Sequence, residues 1–488
     1  MLESDLRQDE RNFNKAPHSA KRVFNARGQA LQTNKRTSPS KKPRKTAGAP
    51  ISASHNSRHE RPRSISPAAR GAIADALIQQ SRGASLDQAL TKTLKNTKDL
   101  HAQDRRDVVQ NLYGINRHRA RLSWHLEQVE ALVTPGALFS AWLAFSSRGT
   151  TWSEEAGVED LPLMRKLTSR ELNERTMPEA ARLECPPAFE SHLREALQGN
   201  FSREMRAALE APPVDLRINL LKADAAEAIK RLHWDKVEAK PTPFSPWGLR
   251  CAPGTNVSAT RCFQDGLIEF QDEGSQLAAL ICDVQPGMQV MDFCSGTGGK
   301  TLALAAAMQN KGHLVACDIS EVRLARSKIR LKRAGAENAE RIKLPAVDDK
   351  AMKKLYGKFH RVLVDAPCSG TGSWRRNPDV RWSTHAAKLD ELIALQSSIL
   401  ERAARFVQPG GYLIYATCSL LPQENDEQIK SFLSTREDFE LVNARKIWEQ
   451  LSDKAWPSGE EQFLRLSPAR HGTDGFFTAI LRKATIPA

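Results

Sequence analysis

A doubly wound α/β domain, preceded by a small α+β subdomain and an all-helical unit, is the fold that the 488-residue sequence predicts. Three observations carry that reading. Beyond residue 285 the short apolar runs Val290 to Phe293, Leu314 to Cys317, Val362 to Val364 and Tyr412 to Tyr415 are each followed by a polar turn and a helical stretch. That is the pattern of strands buried on both faces of a parallel sheet. Residues 66–145 instead repeat apolar residues at helical spacing, and residues 186–270 alternate helix with strand.

In chain order, residues 1–65 come first, with fifteen Lys and Arg against five acids, which is +10 of the whole chain's +15. Few aliphatic residues, many Ser, Asn and Pro and the cluster Lys41-Lys42-Pro43-Arg44-Lys45 predict a disordered basic tail. Weak sequence-blind RNA affinity, a docking role and a targeting signal are all open for it, although Glu3 and Asp5 argue against a mitochondrial presequence.

Residues 66–145 place Ile73 and Leu77, then Leu86, Leu90 and Leu94, then Val108, Leu112 and Ile115, then Leu122, Leu126 and Val129 on helix faces, with Asp104 as the expected cap of the third helix. Arg105, Arg106, Arg117, His118, Arg119 and Arg121 read equally well as a solvated face or as RNA contacts. Residues 146–185 are expected to be a linker with some helix. Residues 186–270 form the α+β subdomain, with Phe189, Leu193 and Leu197 on one helix, a strand over Val214 to Leu221 and a helix over Ala225 to Leu232. Residues 271–488 are expected to form the doubly wound domain. No apolar run approaches the ~20 residues of a membrane-spanning helix. The eight cysteines, without close pairs, read as reduced cytosolic thiols rather than a disulfide framework or a zinc module.

Ligands of a doubly wound sheet bind outside the carboxyl ends of its strands. The first such turn, Asp292-Phe293-Cys294-Ser295-Gly296-Thr297-Gly298-Gly299-Lys300-Thr301, brings three glycines to a helix start, where backbone N–H groups can face a ligand. A nucleotide phosphate, the carboxylate and ribose of S-adenosylmethionine, or a purely structural tight turn would each account for it. A phosphate-binding Walker loop would need glycine at position 294, which is Cys. Asp318 ends the second strand where an acid can accept both ribose hydroxyls of an adenosine ligand, or simply cap the next helix. Asp348, with Asp349 beside it, follows a candidate strand Ile342 to Leu344 and is placed to reach an adenine edge.

The most specific stretch runs from Val364 through Asp365, Pro367 and Cys368 to Trp374, Arg375, Arg376 and Asp379, and the next strand ends Tyr415-Ala416-Thr417-Cys418-Ser419 before Pro422, Glu424 and Asn425. Either cysteine alone would be an ordinary small buried hydrophobe. Two at consecutive strand ends beside an acid fit chemistry better. Carbon 5 of cytosine is too poor a nucleophile to attack a sulfonium methyl group. A thiolate added at carbon 6, with an acid at N3, makes an enamine that can.

These motifs resemble the RNA cytosine-5 methyltransferases of the RsmB/Nop2/Sun group. The resemblance rests on VDAPCSGTGSWRRNPD, ATCSLLPQEN, DFCSGTGGKT, LRINLLKAD (Arg217, Asn219, Lys222) and TDGFFTAILRK, while DRRDVVQNLYGINRHRARL is similar to a NusB-like RNA-binding domain. It implies a Rossmann-like class I methyltransferase domain and S-adenosylmethionine as methyl donor. Cys418 would be the nucleophile at carbon 6 and Cys368 would assist breakdown of the adduct. Asp365 would hold the base near N3, and Lys300 would contact the target base. Cys294, Ser295, Gly296, Thr297, Gly298, Gly299, Lys300, Asp318, Asp348 and Asp365 would bind the donor. Which cysteine attacks rests on the family, because DNA cytosine-5 methyltransferases use the Pro-Cys thiol. The group usually has Cys-Ala-Ala-Pro-Gly-Gly-Lys where this chain has Cys-Ser-Gly-Thr-Gly-Gly-Lys. The expected protein is a cytoplasmic monomer, free of metal and membrane, acting on 16S ribosomal RNA. A transfer-RNA enzyme and an assembly factor with dispensable methylation are the alternatives. The RNA is expected to be met by local patches at Arg105 to Arg121 and at Arg375-Arg376.

Overall fold

The computed structural model describes residues 65–146, 161–347, 349–382 and 388–485. Asp348 and the basic tail expected over residues 1–65, Ile65 excepted, lie outside them. Ser66 caps α1 (Pro67–Ser81) by accepting the Ala69 N–H, with Pro67 where a missing donor costs nothing. Ser85 and Gln88 form a reciprocal cap on α2 (Leu86–Asn96). Asp104 is not the cap of α3 (Ala102–Arg117) but its third residue, and its carboxylate accepts the His101 N–H and the Ser66 hydroxyl. With α4 (Arg119–Gln128), α5 (Pro135–Ser146) and α6 (Leu161–Leu167) these helices share one core that includes Ile73, Leu112, Leu122 and Leu143. Met164 and Leu167 of α6 are fully buried in that core, and Glu184 is fully buried as well. The described part of the stretch 146–185 is therefore packed structure, where a linker was expected.

The next helices, α7 (Pro187–Leu197) and α8 (Phe201–Ala207), pack Phe189, Leu193, Phe201 and Met205 against Trp374 and Leu421 of the catalytic domain. β1 (Val214–Ile218), α9 (Ala225–Trp234), β2 (Lys240–Pro241), β3 (Gly248–Cys251) and β4 (Ile268–Phe270) form an antiparallel sheet of order β2-β3-β1-β4 with its own core of Leu216, Leu232, Leu249 and Ile268.

The catalytic domain opens with α10 (Glu273–Leu280) and continues β5 (Gln289–Asp292), α11 (Gly299–Ala307), β6 (His313–Asp318), α12 (Glu321–Ala334), β7 (Ala339–Lys343) and β8 (Phe359–Asp365). It ends with α13 (Leu389–Ala404), β9 (Val407–Thr417), α14 (Asp426–Thr435), β10 (Phe439–Val442), α15 (Ala444–Leu451), β11 (Leu464–Leu466) and β12 (Phe476–Lys483). Among the described residues the sheet order is β10-β12-β9-β8-β5-β6-β7, parallel from β9 to β7, with β12 antiparallel to β9 and β11 beside β12. Helices cover both faces, as the parallel strands require. Asn219 and Lys222 tie the smaller sheet to this domain, bonding the carbonyls of Ala334 and Arg333 at the end of α12.

The arginines expected to meet RNA are turned inward. Arg121 pairs with the buried Glu184 at 2.8 Å, and Arg117 donates to the carbonyls of Leu209, Glu210 and Arg375. Arg119 lies over the Trp382 ring, whose indole N–H bonds the Asn116 carbonyl. Arg375 bonds Asp474, and Arg376 reaches Asp215, Asp272 and Asp474 at 3.2, 2.7 and 3.1 Å. Arg105 bonds the Leu94 and Leu100 carbonyls, leaving Arg106 exposed. A guanidinium has five fixed donors and cannot shed its charge, so once buried it must meet this many acceptors. Arg117, Arg119, Arg121, Arg375 and Arg376 thus spend their guanidinium groups on contacts within the folded chain, and Arg106 is the arginine of the expected patches left exposed.

Candidate active site

Each candidate side chain stands at the carboxyl end of a parallel strand. After β5 the chain turns through Gly296 (φ 54°) and Gly298 (φ 87°), both in the left-handed region that a side chain resists, and enters α11. The turn is pinned by Ser295 N–H to the Cys317 carbonyl at 2.8 Å and by Gly296 N–H to Asp318 at 2.9 Å. Asp318 also accepts the Ser320 N–H at 2.7 Å, and Ser320, not Asp318, caps α12. Arg330 steadies Thr297 from α12 through its carbonyl and hydroxyl. A side chain built at Gly296 or Gly299 would meet nothing within 4 Å, so the turn borders open space. The buried Ser295 Oγ and Asp292 Oδ1 have no hydrogen-bond partner. Burial lifts the Asp292 carboxyl to about 7, against the hydrogen bond that Thr301 donates to it. Free space beside glycines, an unused hydroxyl and an acid two residues short of a helix form a cradle that fits a polar adenosine ligand.

Lys300, at the start of α11, crosses to β8 and pairs with Asp365 at 2.7 Å while its ammonium lies over the Phe476 ring at 5.1 Å. Burial works to discharge it, but the Asp365 carboxylate outweighs that and its pKa is raised. Asp365 keeps about a third of its side chain exposed, at 34%.

β8 and β9 are parallel neighbours with Asp365 opposite Ala416, and this register brings the two loops beyond them together. The Cys368 and Cys418 sulfurs lie 3.4 Å apart. Hydrogen bonding to the Cys418 sulfur, then burial, pushes the Cys368 thiol well up, so it keeps its proton. Cys294 is likewise pushed well up by burial, which suits a lining residue and not a nucleophile.

Beneath both thiols sits Glu424, fully buried, accepting the Ser369 N–H at 2.7 Å, the Gln396 amide at 2.9 Å and the hydroxyls of Ser369 and Ser419. One carboxylate thus fastens both loops. The sequence places Glu424 in the motif after Cys418 without indicating this role. The spacing from Ser419 to Glu424 could have marked it only if the facing loop had been known. A second clamp joins Gly372 to Gly475: the Gly475 N–H bonds the Gly372 carbonyl at 2.8 Å, and a Cβ on Gly372 would lie 2.4 Å from the Gly475 oxygen. Phe476, the residue under Lys300, follows directly. The structure thus brings Lys300, Asp365, Cys368 and Cys418 together beyond the carboxyl ends of β5, β8 and β9, with Cys294 to Gly299 and Asp318 on the neighbouring strand ends. Among the described residues no cluster of three metal-ligating side chains occurs, and no helix is long and apolar enough to cross a membrane.

Comparison with known proteins matches residues 279–482 to the family described as 16S rRNA methyltransferase RsmB/F and residues 189–258 to a ferredoxin-like domain of RsmF/B-like methyltransferases. The chain is 30% identical over 404 residues to ribosomal RNA small subunit methyltransferase B of Yersinia pseudotuberculosis, covering 76% of this chain and 91% of that one. It is 33% identical over 285 residues to a probable ribosomal RNA small subunit methyltransferase B of Bacillus subtilis, covering 57% and 61%. A crystal structure of a methyltransferase homologue from Pyrococcus horikoshii superposes with TM-score 0.53 at 29% identity, covering 62% of this chain and 97% of that one.

Proposed function

Because the chain belongs to the RsmB/F family of 16S rRNA methyltransferases, we propose that this S-adenosylmethionine-dependent enzyme methylates carbon 5 of a cytosine in small-subunit ribosomal RNA, in the cytoplasm, through a covalent adduct at Cys418. The observation that carries the reading is the 3.4 Å approach of two thiols beside an acid held by a lysine. The bound donor supplies a methyl group on a sulfonium. Ser295 to Gly299 would bind its amino-acid part and Asp318, with lone pairs to spare, its ribose hydroxyls; Asp348, outside the described residues, is assigned to its adenine on its place in the sequence.

Asp365 holds the base along its N3 edge, and the Lys300–Asp365 pair provides the proton that N3 takes up as the Cys418 sulfur bonds to carbon 6. Carbon 5, now part of an enamine, takes the methyl group. The carbon 5 proton passes to solvent, N3 returns its borrowed proton to the Lys300–Asp365 pair, and the re-formed double bond expels the Cys418 thiolate. Cys368, which keeps its proton, steadies the departing thiolate through its S–H. Cys418→Ala should abolish transfer of labelled methyl to RNA, and Cys368→Ala should accumulate a protein–RNA adduct on a denaturing gel. Full activity in the Cys418 variant, or a product other than 5-methylcytosine, would overturn the reading.

A further inference from the structure

With the seam arginines directed inward, the positive charge of the folded part lies on another surface. Residues 321–358 hold twelve Lys and Arg against five acids, net +7, while residues 66–488 as a whole sum to only +5. The remainder of the folded sequence is therefore slightly acidic. Within the basic stretch, α12 buries Leu324, Ser327, Leu331 and Ala334. That three-and-four spacing leaves Arg323, Arg326, Lys328 and Lys332 exposed on the outer side. Arg341 bonds the Leu324 carbonyl and Lys343 pairs with Glu321, which carries the charged surface onto the edge strand β7.

The two faces of α12 use their cations differently. Arg330 and Arg333, toward the domain, bond Thr297 and Glu269. Arg326, Lys328 and Lys332 enter no ion pair among the described residues, and Val322 and Ile329 stand among these outer cations at 66% and 73% exposure. Position adds a second argument. α12 starts just beyond Asp318 at the carboxyl end of β6, and only β5 separates β6 from β8. At the usual strand spacing that is roughly 10 Å from the strand bearing the Asp365–Cys368 loop.

We infer that the outer face of α12, continued by the β7 edge, binds the phosphate backbone of the RNA segment flanking the base that enters the thiol cleft. This rests on the RNA methyltransferase reading and adds where the RNA runs. Contacts of this type fix register without reading sequence.

The test uses the full chain and a 16S ribosomal RNA transcript, comparing the parent with Arg326→Gln/Lys328→Gln/Lys332→Gln between 50 and 200 mM salt. Each lost phosphate contact removes about 0.7–0.9 from the slope of log affinity against log salt. The triple variant should therefore show a slope shallower by about 2, with binding weaker by roughly 150-fold at 50 mM and still by about tenfold at 200 mM, and S-adenosylmethionine affinity by calorimetry unchanged. Equal slope and affinity in parent and variant would overturn this surface while leaving the methyltransferase reading intact. Equal RNA binding combined with lost methylation of ribosomal particles would assign the face to an acidic protein partner and overturn it too. A parent that neither binds nor methylates the transcript would bring down the functional reading itself.

Discussion

In the seam between the helical unit and the catalytic domain, Arg121, Arg375 and Arg381 are less than a tenth exposed, and each guanidinium meets a carboxylate or a carbonyl. On the outer face of α12, Arg326, Lys328 and Lys332 stand in water with no such partner among the described residues. Both regions are dense in positive charge in the sequence. In the seam, taking the charge out of water is tolerable only because its geometry is fully specified, so each arginine can have one partner set and one conformation. On α12 the charges are solvated, keep their side-chain freedom and are complementary to any polyanion. Basic residues therefore mark RNA contact only where the interior leaves them unclaimed.

The contrast is most exposed to failure at Glu184, which accepts the Ala120 N–H and pairs with Arg121. Glu184→Ala leaves a buried guanidinium uncompensated and should cost about 3–5 kcal/mol in urea unfolding. The α12 triple variant should stay within roughly 0.5 kcal/mol of the parent. Similar losses for the two would erase the distinction. Next in size is Glu424, the buried acid of the thiol loops. Glu424→Ala strands the Ser369 N–H and two hydroxyls and should cost about 2–3 kcal/mol. It should lower kcat without changing donor affinity, because the donor cradle lies on β5 and β6. A variant with the parent's kcat would reduce Glu424 to a packing residue.

A further test concerns Asp292, a buried acid with no cation bonded to it. Its carboxyl, lifted to about 7 by burial, holds a proton that the unfolded chain releases near pH 4. The stability it contributes is fully present below about pH 4 and is lost as pH rises through about 7. Asp292→Asn should flatten the decline of the thermal midpoint over that window. An unchanged decline would place the titrating group elsewhere.

Much of the sheet could be read from the sequence because parallel strands buried on both faces are near-continuous apolar runs, and the turns beyond them carry the conspicuous motifs. The strands β10 to β12 were not read, since their antiparallel pairing depends on partners set by tertiary contact. The proximity of Cys368 and Cys418 required only that β8 and β9 be neighbours. Glu424 required more: Ser369 lies 55 residues away, and nothing local distinguishes this acid from any loop glutamate. The expectation of some helix in residues 146–185 is met by α6, but its packing was not legible because α6 is short and takes its stability from α5 and the core behind it. The inward pairing of the arginines depends on acids at Glu184, Asp215, Asp272 and Asp474, spread through the chain, which a charge count alone does not locate.

The backbone clamp between Gly372 and Gly475 bears on how the enzyme is made. The donor turn, Lys300 and both cysteines precede residue 420, but the segment that fastens the Gly372 loop and places Phe476 beneath Lys300 is synthesised afterwards. A nascent chain still holding Asp474 in the ribosomal exit tunnel has every reactive group and no finished site.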